Sequence, residues 1–276
     1  MNPFEILEPT CISFSGGRTS AYMLHKVLEC GGGQLPDDAV VCFANTGKED
    51  EATLKFVHDC EKHWNVPIVW LEYEEAEESK DRFKVVSYET AARNGEPFEA
   101  VIRKKQYLPN PVTRFCTIEM KIRTIANYLF SIGMCETRSQ GEYMSWVGIR
   151  ADEPRRAAKI PRDRTPLVAA GVSKEMVGDF WKNQPFDLEL PNINGVTYHG
   201  NCDLCFLKGE SQTRSLIAEK PERAVWWVKM EALALASKPS GARFRKDRAS
   251  YANMMQFAAD QHDFIDDETI PCFCGD

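Results

Sequence analysis

Short apolar runs recur through the first half of the chain: Cys11–Phe14, Ala39–Ala44, Pro67–Tyr73 and Tyr143–Ile149. Between them, Ala21–Leu28, Glu51–His63 and Lys121–Phe130 place apolar residues at helical spacing. Buried strands separated by helices of this length predict right-handed crossovers and a parallel sheet, so the fold class expected is α/β. Glu74–Lys84 is charged and reads as a solvated surface segment. Tyr88–Arg93 reads as the start of a helix, broken by Gly95-Glu96-Pro97. Pro109 and Pro111 force an irregular path ahead of Cys116. From about Thr165 the texture changes. Val172–Asn183 and Pro221–Ser237 read as helices, the second carrying Trp226 and Trp227 as packing aromatics. Val196–Cys205 is polar and turn-rich. A boundary is expected near residue 165, and no internal repeat or low-complexity tract is present.

The first apolar run ends in Ser15-Gly16-Gly17-Arg18-Thr19-Ser20 and a helix follows. A strand that turns through small residues into a helix can hold phosphate. Glycine lets the backbone approach the anion, and the first amides of the helix lack intrahelical acceptors. The plain alternative is an ordinary strand–helix turn. The loop lacks the three spaced glycines of the dinucleotide fingerprint and the Gly-Lys-Ser/Thr ending of the P-loop. In a parallel sheet the ligand lies at the carboxyl ends of the strands. Asn45-Thr46-Gly47, after the second run, falls at the same end and becomes a candidate nucleotide-contacting turn. Gly148 and Arg150, after the fourth, do likewise. Arginine suits bidentate contact with phosphate or sulfate. Arg155 and Arg156 read as solvated surface charge.

The 276 residues suit one large domain or two modest ones, and 43% hydrophobic with 27% charged residues is a globular composition. No apolar run approaches the roughly 20 residues that cross a bilayer. The start, Met1-Asn2-Pro3-Phe4-Glu5, is unlike a signal peptide, so a cytoplasmic protein without membrane contact is expected. A net charge of −7 argues against nucleic-acid binding by bulk charge and leaves a local basic site open. The run Arg243–Arg248 could clamp a substrate or nucleic acid, or form a solvated helix face.

Ten cysteines without an export signal do not suggest a disulfide framework. Cys30, Cys42 and Cys60 read as buried apolar residues. Cys202-Asp203-Leu204-Cys205 is different, because two thiolates so spaced can bind one metal or cluster from a single turn. Alternatives are a redox pair and two unrelated thiols. Candidates for further ligands are Cys116, Cys272 and Cys274, and soft thiolate ligation points to a [4Fe-4S] cluster or structural zinc. His199, beside the pair, could replace one cysteine, although a histidine there is more often a surface residue.

Taken together, Ser15-Gly16-Gly17 with Ser20, Asn45-Thr46-Gly47, Arg114-Phe115-Cys116-Thr117 with Lys121, and Gly148-Ile149-Arg150 resemble the phosphoadenosine phosphosulfate (PAPS) reductase branch of the PP-loop ATP pyrophosphatase superfamily. The resemblance covers about the first 160 residues. The later Cys-x-x-Cys half resembles iron–sulfur phage and prophage members of that branch. It implies a Rossmann-like sheet of the adenine nucleotide alpha hydrolase-like kind, with residues 1–165 binding nucleotide and 166–276 forming a mainly helical, cluster-binding part. Ser15–Ser20, Asn45–Gly47, Gly148 and Arg150 would hold ATP or an adenylyl-sulfate-type nucleotide, with Arg150 and Lys121 in catalytic roles and a magnesium ion accompanying ATP. Three departures stand out. Thr19 replaces the family's usual Asp, and a hydroxyl is a poorer magnesium ligand than a carboxylate. Phe115 occupies the place of a paired cysteine, and the ending Pro271-Cys272-Phe273-Cys274-Gly275-Asp276 has no histidine. The expected protein is an oxidoreductase or sulfurtransferase acting on an adenylylated sulfur substrate, with an unspecified electron donor and a homodimer left open. The alternatives are a non-catalytic nucleotide-binding regulator and a PP-loop enzyme with structural zinc.

Overall fold

The computed structural model describes residues 2–138, 143–193 and 196–267, without the side chains of 193, 196 and 260–267. It is an α/β protein built on a five-stranded, mostly parallel sheet in the order β4-β3-β2-β1-β5. The strands are β1 (Thr10–Phe14), β2 (Ala39–Asn45), β3 (Ile68–Glu72), β4 (Lys84–Val86) and β5 (Met144–Val147). β1 pairs in parallel with both β2 and β5, β2 with β3, and β4 closes the edge antiparallel to β3.

Strand periodicity divides the residues between two faces. Ile12, Phe14, Val41, Phe43, Ile68 and Trp70 pack with the helices α1 (Arg18–Cys30) and α2 (Glu51–His63). Cys11, Cys42, Ala44 and Leu71 face the other way, against Ile125 and Leu129 of the helix Thr124–Ser131. Asp50 caps α2, accepting from the Ala52 amide at 3.0 Å.

The chain divides into two compact units, 1–101 with 115–202 and 102–114 with 203–276. The boundary expected near residue 165 is therefore displaced. The reason is core packing: Leu167, Val172, Val177, Trp181, Leu188 and Leu190 join the core formed by α1, α2 and the sheet. Trp181 packs edge-on to Phe56 at 5.0 Å, and its Nε1–H donates to the Arg18 carbonyl at 3.0 Å.

The second unit is mainly helical, with helices Glu210–Glu219, Glu222–Ser237 and Tyr251–Asp267. Trp227 is fully buried there, as its apolar setting predicted, and stacks on Tyr251 at 5.1 Å. The Trp227 Nε1–H donates to Asp203 at 2.8 Å, and the Tyr251 hydroxyl donates to the Leu204 carbonyl at 2.6 Å. These bonds anchor the middle of the Cys-x-x-Cys turn. The Arg243–Arg248 run is an irregular loop rather than a helix face. Arg248 donates to the Lys208 carbonyl at 3.0 Å and Arg243 to the Arg248 carbonyl at 2.8 Å, so part of its charge serves the unit's own packing.

Several local expectations are corrected. Tyr88–Arg93 forms turns, because Ala91 and Ala92 close back on Ser87 and Glu72. The helix instead runs over Glu96–Lys105. The charged segment Glu74–Lys84 ends in the edge strand β4. Cys42 and Cys60 are buried as expected, whereas Cys30 is exposed at the end of α1. His199 is buried rather than on the surface. Among the described residues no helix is long and apolar enough to cross a membrane.

Trp181→Ala removes a large buried side chain from the core of the first unit. Its cost is expected at about 3–5 kcal/mol, read from the urea midpoint for loss of the sheet. An unchanged midpoint would return residues 166–202 to a separate domain.

Candidate functional site

The site begins at the centre of the sheet. The chain leaves β1 toward β2 on one side, while β5 is added on the other, so a crevice opens where the order reverses. That crevice, beyond the carboxyl ends of the strands, is where open α/β sheets bind ligands. Here it holds a cavity of about 460 Å³, lined by Ser15, Gly16, Gly17, Arg18 and Thr19 from the first loop and by Gly148 and Arg150 after β5. Its size lies within the range of small-molecule pockets.

Two glycines set its shape. Gly16 has φ +73°, the left-handed region, and a Cβ there would stand 2.6 Å from Thr53 Cγ2. Gly148 lies against the start of α1, where a Cβ would meet Ser20 Cα at 3.0 Å. Ser20 itself does not line the cavity. It is buried and ties the loop shut: its Oγ accepts from the Ser15 amide at 3.1 Å and donates to the Gly17 carbonyl at 2.9 Å. Gly17 caps α1 without a side-chain acceptor, and no carboxylate stands in the first turn. The first amides of α1 therefore face an opening free of competing acid from their own helix.

Arg150 lies across from this loop. Its Nη1 donates to Thr19 Oγ1 at 3.1 Å and its Nε to Asp152 at 2.8 Å, and Glu153 lies 3.6 Å from Nη1. Thr19 and Arg150, distant in sequence, are thus joined directly. Arg18 turns away, forked onto Asp187 at 2.7 and 2.8 Å, and clamps that segment to α1. Arg156 and Lys174 complete a basic lining, with Glu153 opposing them. Arg156 is largely exposed and paired to Glu153. Burial raises the Asp152 carboxyl, but the hydrogen bond from Arg150, the Lys174 amide and the Arg150 charge outweigh it, and the net shift is downward.

Other expected site residues lie elsewhere. Asn45, Thr46 and Gly47 are not among the lining residues and are fully buried. Asn45 Nδ2 donates to Glu72 at 2.6 Å and its Oδ1 accepts from the Gly47 amide at 3.0 Å. Thr46 is bound to the Glu49 carboxylate at 2.8 Å. The polar groups of this turn are taken up by neighbouring protein groups. Lys121 lines a different cavity, with Ser13 and Ser145. Thr53 and Lys174 were not singled out for the cavity by sequence, and Arg156, which follows the same strand end, read as surface charge. Around Lys174 the sequence offered only a helix over Val172–Asn183, without a sign of what it faces.

The thiolate candidates fall in both units. Cys116 and Cys202 belong to the first and Cys205 to the second, while Cys272 and Cys274 lie outside the described residues. Cys202 Sγ is 3.4 Å from Thr46 Oγ1, and its backbone bridges to Glu49. Among the described residues no group of three or more His, Cys, Asp and Glu side chains is arranged to hold a metal. A cluster or zinc site thus rests on the sequence spacing alone.

An α/β protein with a small-residue loop at the switch point of its sheet is the class that fold and geometry define. No family model matches the chain. It is similar to the uncharacterized nin region protein ORF290 of Escherichia phage lambda, with 31% identity over 212 residues, 71% of this chain and 65% of the phage protein. It is also similar to the uncharacterized protein MJ0066 of Methanocaldococcus jannaschii, with 30% identity over 153 residues, 55% of this chain and 25% of that protein. The chain thus spans just under two thirds of the phage relative's length and a quarter of the archaeal one's.

Gly16→Ala combines a left-handed backbone cost of about 1–2 kcal/mol with the contact to Thr53. Thermal denaturation is expected to show the loss, and adding Thr53→Ser, which removes Cγ2, to recover the part due to that clash, Phe43 and Val57 still standing 3.2 Å from the added Cβ. Asp152 gives a pH signature. Because its folded pKa is lowered, its contribution is present above the unfolded value of about 3.9 and is lost as pH falls through the folded value. Stability curves of the wild type and Asp152→Asn are expected to separate near neutrality and converge in acid.

Proposed function

We propose that this chain is a PAPS reductase-like, PP-loop enzyme that holds the phosphates of ATP, or of an adenylylated sulfur compound, against Ser15–Thr19. The observation that carries this reading is the pairing of the Ser-Gly-Gly loop with Arg150 at the sheet's switch point, joined through Thr19. Glycine gives the anion access to backbone amides, and α1 adds its positive end. Arg150 would contact a second oxygen of the same group, held in place by Asp152. Such a site works by positioning and charge neutralisation. The reaction class is reduction or transfer of the sulfur carried by the nucleotide, with electrons from an external donor.

A [4Fe-4S] cluster or zinc at Cys202 and Cys205, completed by Cys116 and Cys272 or Cys274, belongs to this reading through the sequence motif. If bound, a cluster would supply electrons or an iron site for sulfur. Anaerobic purification with iron, zinc and sulfide analysis tests it. Iron, sulfide and absorbance near ~400 nm support the cluster, and colourless protein with stoichiometric zinc replaces it by structural zinc.

A second reading, a nucleotide-binding regulator without turnover, is favoured by two observations: Arg150 is already engaged by Asp152 and Glu153, and Lys121 lines another cavity. Calorimetric titration with ATP and with adenylyl sulfate, followed by product analysis, separates the two. Binding is expected for at least one nucleotide, and Arg150→Gln should weaken it about tenfold or more. Turnover supports the enzyme, and binding without turnover supports the regulator. Absence of binding to both nucleotides would remove both readings.

A further inference from the structure

On the opposite face of the sheet from α1, β1 and β5 border a second cavity of about 310 Å³. Its polar wall comes from Ser13 and Ser145, which the parallel register places on one face of neighbouring strands, and from Tyr143. None of the three hydroxyls has a hydrogen-bond partner among the described residues. Lys121, Lys159 and Arg164 supply its charge, and no carboxylate lines it. Ile122, Ile125, Val147, Ile160 and Pro161 form the apolar remainder.

The backbone is adapted to this arrangement. Lys121 sits in a π-helical stretch, Ile118–Arg123, that precedes the helix Thr124–Ser131. Such a bulge re-aims side chains and is frequent at functional sites. The Thr124 hydroxyl donates to the Glu119 carbonyl five residues back at 2.8 Å, supporting the wide turn. Arg164 closes a short 3-10 turn, Arg162–Arg164. Burial and then the neighbouring Cys11, Cys135 and Cys42 thiols push the Tyr143 hydroxyl up to about 12 against the opposing Arg164 charge, so it remains a donor.

Three cations, three hydroxyls able to donate and a small apolar wall describe a receptor for one kind of ligand. We propose that this cavity binds a compact tetrahedral oxyanion ester, a phosphate or sulfate group carried on a small apolar or aromatic body. Lys121, Lys159 and Arg164 neutralise the anion, and Ser13, Ser145 and Tyr143 donate to its oxygens. The site is separate from the loop cavity and does not depend on a nucleotide being bound there.

The test is calorimetric titration of the full chain with phenyl phosphate and phenyl sulfate, beside inorganic phosphate and sulfate. The phenyl esters should bind more tightly than the bare ions, since the apolar wall takes the ring. Lys159→Gln with Arg164→Gln should weaken ester binding at least about tenfold, a larger loss than Arg150→Gln, in the other cavity, produces. Preference for the phosphate or for the sulfate ester names the source of the oxyanion, and either supports the site. Circular dichroism confirms that the variants fold, and Ser145→Ala offers a milder variant that should also weaken binding. Absence of ester binding in the wild type would overturn the proposal, as would binding lost only with Arg150→Gln or retained in full by the double variant.

Discussion

The close approach of β5's end to the start of α1 is the constraint on which the rest of the site depends. A side chain at Gly148 would press on Ser20 and push these two backbones apart by a few tenths of an ångström. Ser20 in turn closes the loop through Ser15 and Gly17. With those segments in contact, Arg150 reaches Thr19 and the crevice at the switch point has walls on both sides. The cavity is thus a product of backbone packing first and of charge second. Its arginines are placed by what they already bind: Arg18 by Asp187, and Arg150 by Asp152.

The central sheet was legible because each of its parallel strands is a short apolar run bounded by turn residues, and because alternate residues pack against different helices. β1, β2, β3 and β5 could be read this way. β4 could not, since it is a three-residue edge strand between charged segments. Glu96–Lys105 carried a signal that was read in the wrong sense: Pro97 sits in the first turn, where proline starts helices as readily as it ends them. The position of residues 166–202 was not legible, because their place is decided by Trp181, Leu188 and Leu190 meeting a core made far earlier in the chain.

The candidate site divides along the same line. Its glycines and Arg150 were visible as local motifs. Asn45-Thr46-Gly47 has the look of a ligand turn, yet the buried carboxylates of Glu72 and Glu49 satisfy Asn45 and Thr46, and no local pattern announces such partners. Lys121, expected beside the loop, lines another cavity and is carried there by a π-helical stretch.

The buried thiols have a practical consequence. Cys11 and Cys42 sit without exposure on neighbouring strands, and Cys60 is sealed on the buried face of α2. The hydrogen bond with Cys11, then burial, raise the Cys42 thiol far above its ordinary value, and burial, then Asp59, raise that of Cys60. Alkylating reagents act on thiolates, so these sulfurs are silent while the sheet is intact and become reactive once it opens. The protein carries within its own framework a chemical clock for the opening of its central strands, one that needs no added label.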